Sequence, residues 1–406
     1  MNEKEIIEIE DRLMANVYAK RPIVVVKGKG ALVWDINGRE YIDCGGSYGT
    51  CIVGHCHPKV VEAIKRQAER LISCHGSLYN DARSTLLEKI MQIAPKGLNK
   101  VFLSNSGAEA VECALKLARK YTGKPEIIAM IGAFHGKTMG ALSATWDRKY
   151  RVPFKPLVPE FKHVPPDNLE KVREAISDRT AAIIVEPIRG EGGVRLPPPG
   201  FLEGLREICE EKGILLIFDE VQTGFGRTGR IFACEHWGLT PDILCLAKSV
   251  AGGLPLGITL AKEHVMASLK VGEHTTTFGG NPVVCAAASA AIEVLIEENL
   301  PERAAILGKY FKEKLEDLHS RHWIIREVRG LGLMLGVELR FDVLSVLTRA
   351  LENGVIILDA GKNVLRFLPP LVIEKEHIDK VISILDVILE KEENERIRGS
   401  PTNQNA

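Results

Sequence analysis

The sequence lacks net charge: Lys+Arg and Asp+Glu each total 53 in 406 residues. That balance gives no support to a nucleic-acid binder that works through a global basic field. No run reaches the roughly 18 consecutive apolar residues of a membrane-spanning helix. The first residues, MNEKEIIEIEDRLMANVYAKRP, are acidic and amphipathic and lack the apolar core of a signal peptide, so a cytoplasmic protein is expected. A disulfide framework is missing too, since the nine cysteines are odd in number and scattered from Cys44 to Cys285. In the cluster Cys51, His55, Cys56, His57 the side chains are too crowded for zinc spacing and no second pair sits nearby, so no metal is expected. No internal repeat is present.

What remains is an ordinary globular composition, 45% hydrophobic and 26% charged, in a chain long enough for a large α/β domain and a smaller partner. Residues 24–43 read as two strands around a turn at Asn37-Gly38. Residues 45–54 read as loop. Helices are expected from Pro58 to residue 72 and over 81–93. Between 100 and 260, short apolar runs (VFL, EIIAMI, AAIIVEPI, ILLIFDE, ILCLA) alternate with helical patterns or long crossovers. That alternation predicts an α/β fold with a mostly parallel sheet, whose ligands bind beyond the carboxyl ends of the strands. Beyond 283, helices, a strand–Gly turn–strand and a last helix over 374–391 form an α+β region. The polar end, EENERIRGSPTNQNA, is expected to fray.

Three features point to one chemistry. PDILCLAKSVAGGLPLG is an apolar strand that delivers Lys248 into a Gly-rich turn. An ordinary lysine pointing to water fits that stretch alone; a desolvated lysine there has a lowered pKa and a nucleophilic amine. Ser106 can cap a helix, with Glu109 completing a capping box, and the free N–H groups at Gly107 and Ala108 suit a phosphate. Asp219 ends another strand, where it can hold a cationic ring nitrogen. An imine-forming lysine, a ring-nitrogen partner and a phosphate anchor are what pyridoxal 5'-phosphate requires, and Phe134 can stack on its ring. A competing pattern, Gly224-Phe-Gly226-Arg-Thr-Gly229, matches GxGxxG. It lacks the directly following helix that a dinucleotide site needs.

SNSGAEAVECALKLAR, GAFHGKTMGALSAT, EPIRGEGG, IFDEVQTGFGRTG, PDILCLAKSVAGGLPLG and TTTFGGNP run in the order found in class III (ω-amino) pyridoxal-phosphate aminotransferases of fold type I. The sequence resembles that family from about residue 20 to 385. The resemblance implies Lys248 as the Schiff-base lysine and Asp219 as the partner of the pyridine nitrogen. It implies Gly107 and Ala108 on the phosphate, Phe134 on the ring, and Glu220, Val221 and Gln222 around the cofactor. Thr277 would reach the phosphate of a second subunit's cofactor in a homodimer. Lys137, Glu191, Thr276 and Arg366 would meet substrate, with Glu191 and Arg366 as a switch between amine and glutamate. The implied layout is an N-terminal segment, 1–50, belonging to a small domain; a large cofactor-binding domain, 51–290; a small C-terminal domain, 291–395; and a disordered tail, 396–406.

The resemblance is greatest to acetylornithine aminotransferases and to enzymes acting on lysine or ornithine held by an amino-group carrier protein. It implies transfer of a terminal amino group to 2-oxoglutarate in arginine or lysine biosynthesis. Those enzymes usually carry FHGR, and Lys137 stands where their arginine grips a carboxylate with a planar fork. FHGK, RLPPPG and HTTTFGGNP resemble putrescine aminotransferases, so a diamine, ornithine or 4-aminobutyrate is an alternative amine. A racemase or aminomutase on the same lysine, and a non-catalytic module on the same fold, are the remaining readings.

Overall fold

The computed structural model describes residues 1–398. A seven-stranded sheet runs in the order Lys100–Ser104, Gly257–Ala261, Ile243–Leu246, Leu215–Asp219, Thr180–Val185, Glu126–Met130, Phe161–Val164. Only Gly257–Ala261 runs against the other six strands, so the sheet is mostly parallel, as expected. The reason lies in the runs themselves. EIIAM, TAAIIV, LLIFD and ILCL are buried at every position, as strands covered on both faces must be. Parallel direction brings Met130, Val185, Asp219 and Leu246 to one edge. Ser104 lies at that edge too, because it pairs with Gly257 at the start of the reversed strand.

Helix Gly107–Thr122 packs on this sheet through Ala110, Val111, Ala114, Leu117 and Ala118. Its cap is Ser106, whose hydroxyl accepts from the Glu109 N–H at 3.2 Å. The reciprocal half differs from a capping box: the Glu109 carboxylate accepts from Asn105, one residue further back. Two four-stranded sheets complete the molecule. One joins Val25–Lys29, Leu32–Asp35 and Glu40–Asp43 to Val355–Ile356, so N-terminal strands pair with C-terminal chain. The other is antiparallel, in the order Ile325–Leu331, Met334–Leu339, Val364–Phe367, Leu358–Ala360.

Several expectations shift in detail. VVVKGKGALVWD is two strands, because Gly30 takes φ 60° and turns the chain between Lys29 and Leu32. The 45–54 loop contains a single turn, Gly46–Gly49, with Ser47 and Tyr48 in the left-handed region. The expected boundary at 290/291 falls inside helix Pro282–Glu297. The last helix, Lys375–Arg398, outruns 391 because buried Glu392 pairs with Arg349 and Arg396. Thus 396–398 of the expected tail is helical, and 399–406 lies outside the described residues. In the Cys51–His57 loop, His55 meets Asp43 and His57 meets Glu298. Segment 221–230 is a series of turns with no helix, and buried Arg227 in it holds the carbonyls of Leu333 and Pro369. Among the described residues, no helix is long and apolar enough to cross a membrane.

Candidate active site

The common carboxyl edge opens into a cavity of about 420 Å³, with Lys248 and Asp219 among its lining residues. Strand Ile243–Leu246 passes to Lys248 through Ala247, and Lys248 itself takes φ 49°. A left-handed lysine is disfavoured by roughly 1–2 kcal/mol and persists only where its surroundings impose it. Gly252, at φ 60°, closes the short turn Lys248–Ala251 behind it. Burial lowers the Lys248 pKa, and the charge of Arg366 lowers it further, against Glu191, Asp219 and Glu186. A neutral amine is therefore more accessible here than on a surface lysine.

Asp219 is 4% exposed and fully engaged. Its Oδ1 accepts from the Val221 N–H at 3.0 Å, and its Oδ2 lies 2.7 Å from His135 Nδ1. That contact places the His135 proton on Nδ1 when the ring is neutral, and Nε2 is buried without a partner. Gly107 and Ala108 open their helix at the cavity wall, so their N–H groups have no acceptor inside the helix. A Cβ at Gly107 would lie 2.7 Å from Val221 Cγ1, so only glycine lets this wall close. Phe134, Val221 and Gln222 also line the cavity.

The remaining residues singled out from the sequence separate; Glu220 is turned away from the cavity. Its carboxylate accepts from the N–H groups of Ala233 and Cys234, and burial, opposed by those donors, pushes its pKa up to about 7. Glu191 and Arg366 do meet, at 2.6 Å, and Arg366 also donates to Gln222 Oε1 at 3.2 Å. Glu191 lines a second cavity of about 360 Å³ that shares Phe134 with the first. Thr276 stands one step behind the wall, where its hydroxyl accepts from Asn105 at 3.0 Å. Thr277 is exposed outside the cavity. Lys137 is exposed as well, its Nζ 4.9 Å from the Tyr150 ring centroid.

His135 and Glu186 belong to the cavity and escaped the sequence reading. Glu186 directly follows strand Thr180–Val185. It accepts from the N–H groups of Phe134 at 2.9 Å and Gly190 at 3.1 Å, and burial pushes its pKa up to about 7. The available signal was position: each follows an apolar strand by a few residues at the edge where ligands bind.

The family model for aminotransferase class-III matches residues 13–389. An acetylornithine aminotransferase from Methanopyrus kandleri is 49% identical, over 93% of this chain and 97% of its own. A [LysW]-aminoadipate semialdehyde transaminase from Deinococcus radiodurans is 44% identical, over 96% of this chain and 91% of its own. The ornithine aminotransferase of Toxoplasma gondii, solved with PLP at partial occupancy in its active site, superimposes with a TM-score of 0.93 at 37% identity, covering 98% of this chain and 96% of that one. The chain belongs to the class III aminotransferases and is an aminotransferase of fold type I.

Proposed function

We propose that the chain uses pyridoxal 5'-phosphate to move the terminal amino group of an Nα-acylated ornithine or lysine to 2-oxoglutarate. The amine leaves as a semialdehyde and the oxo acid as glutamate, so amino and oxo groups are exchanged without net oxidation. N-acetylornithine and lysine or ornithine on a carrier protein are the two forms of this substrate, and the reaction then belongs to arginine or lysine biosynthesis. The observation that carries the reading is the Glu191–Arg366 pair at 2.6 Å, next to Gln222 on the cavity wall. Arg366 offers a carboxylate site for glutamate, and Glu191 neutralises it when an amine enters.

The residues present fit the cofactor. Gly107 and Ala108 offer N–H donors and a helix N-terminus for its phosphate. The buried Asp219 carboxylate, fixed by Val221 and His135, offers a partner for a protonated ring nitrogen. Phe134 and Val221 offer apolar contact for a flat ring. When bound there, the cofactor supplies an aldehyde for the amine and a ring that draws electrons from the amine's carbon. Lys248 Nζ, its pKa lowered, would take one proton from the substrate's terminal carbon, which the semialdehyde does not regain, and pass it to the cofactor's carbonyl carbon.

A homodimer fits the surface. Leu78, Tyr79 and Phe278 are 64%, 106% and 62% exposed, and Phe278 directly follows Thr276 and Thr277. Such a surface suits a second copy, to whose cofactor Thr277 would then belong.

A panel of acetylornithine, carrier-bound lysine, ornithine, putrescine and 4-aminobutyrate with 2-oxoglutarate tests the substrate. An acylated amine is expected to give the highest kcat/KM; a higher value for an unacylated amine would overturn that choice. A diamine is the second reading, favoured by Lys137, which faces the Tyr150 ring and does not line the main cavity. Lys137→Ala is expected to raise KM about 2- to 5-fold for acetylornithine, the loss of one exposed charge contact, and to leave putrescine unchanged. Equal effects on both would remove Lys137 from carboxylate binding.

A further inference from the structure

The Glu191–Arg366 pair is held on a mount built in part from the antiparallel sheet beside it. Glu191 lies in a tight turn closed by paired backbone bonds between Arg189 and Arg195, both at 3.0 Å. Inside the turn, the Gly190 N–H is held by Glu186. On its far side, the Gly193 carbonyl accepts from Arg329 Nε at 2.8 Å. Arg329 Nη1 also donates to Glu327 at 2.7 Å and to Glu338 at 2.8 Å. Arg195 returns from the turn to the same two carboxylates.

Strand register explains why this mount reaches the switch. Arg329 pairs with Gly336, and Gly336 pairs with Arg366, across three adjacent antiparallel strands. Directly opposed residues share a face, so the two arginines flank a position without a side chain. Val194 fills it: a Cβ at Gly336 would lie 3.0 Å from Val194 Cβ. Val194 is fully buried and takes φ 53°, a region in which a β-branched residue is an outlier. Strain of that kind persists only where neighbours impose it. One row of the sheet thus carries Arg366, seats Val194 and tethers Gly193, fixing Glu191 relative to Arg366.

We propose that Arg329 is a positioning residue for the switch, acting through the 189–195 turn to keep Glu191 on Arg366 while an amine is bound. This rests on the amino-transfer reading above. The role is separate from that of Arg366, which stays on its own strand and keeps its carboxylate site when Arg329 is removed.

The test measures the two half-reactions separately, with acetylornithine and with glutamate. Arg329→Met is expected to lower kcat/KM for the amine about 10- to 100-fold, the scale of a misplaced group near a reaction centre. The glutamate half-reaction should change less than about 3-fold, because Arg366 remains in place. In the cofactor-free protein, hydrogen exchange at Gly190, Gly193 and Val194 should accelerate. Gly336→Ala provides an independent route: its added methyl lifts Val194 while every Arg329 ion pair remains, and the same split is expected. Should Arg329→Met fail to fold, Gly336→Ala and Glu338→Gln decide. Equal loss in both half-reactions, or loss in neither, overturns the proposal. A wild-type protein inactive with every amine would instead overturn the proposed function.

Discussion

Lys248→Ala is expected to lower kcat by about 10⁴-fold, the upper range for removing a general acid–base group. Its pKa is lowered by burial and by Arg366, so a neutral amine is more accessible in the cavity than on a surface lysine. Alanine supplies none. Glu186 and Asp219 are near enough to influence its charge, but both carboxylates are already held by N–H donors. Folding should survive, because the substitution removes a desolvated polar group and leaves the apolar strand Ile243–Leu246 intact. The measurement is turnover together with thermal denaturation, followed by added methylamine. A native-like Tm, lost turnover and partial recovery proportional to methylamine would identify the missing group as an amine. Turnover within about tenfold of wild type would show that another group moves the proton.

Much of this framework was legible because burial dictates composition. Strands covered on both faces must be continuous apolar runs, so EIIAM, TAAIIV, LLIFD and ILCL stood out. Once their parallel order was inferred, their carboxyl ends pointed to Lys248, Asp219 and the Ser106 cap. Long-range partners carried no such signature. His135 is 84 positions from Asp219, and a histidine in a loop gives no local sign of a buried carboxylate partner. Glu191 and Arg366 are 175 positions apart, and only family resemblance suggested that they meet. Lys137 shows the limit of resemblance: it occupies the position of a carboxylate-gripping arginine but faces Tyr150. Lysine's flexible point charge need not occupy the geometry of a guanidinium fork. The Arg329–Gly336–Arg366 row depends on register, and IIREVRGLGLMLGVEL read only as strand, Gly turn, strand.

Asp219→Asn is expected to lower kcat about 10²- to 10³-fold, the scale of removing one preorganised electrostatic contact. Asparagine keeps the shape: its Oδ1 can accept from Val221 and its amide N–H can donate to His135 Nδ1 in the ring's other tautomer, but it carries no charge to hold a protonated ring nitrogen. The adjacent Glu220 makes the prediction discriminating. Successive side chains along a strand point to opposite faces, so the second carboxylate of IFDE points away from the cavity. There it accepts from Ala233 and Cys234, supporting the segment that follows the glycine turns. Glu220→Gln leaves too few acceptor sites for those donors. It is expected to reduce unfolding free energy by about 1–3 kcal/mol with kcat within about 2-fold of wild type. Asp219→Asn should do the reverse, with little change in denaturation midpoint and a large loss of turnover. Similar kinetic losses in the two variants would contradict the division between them. Opposite outcomes would show that one residue's step along the chain separates chemistry from support, because the pleat turns each carboxylate to a different side.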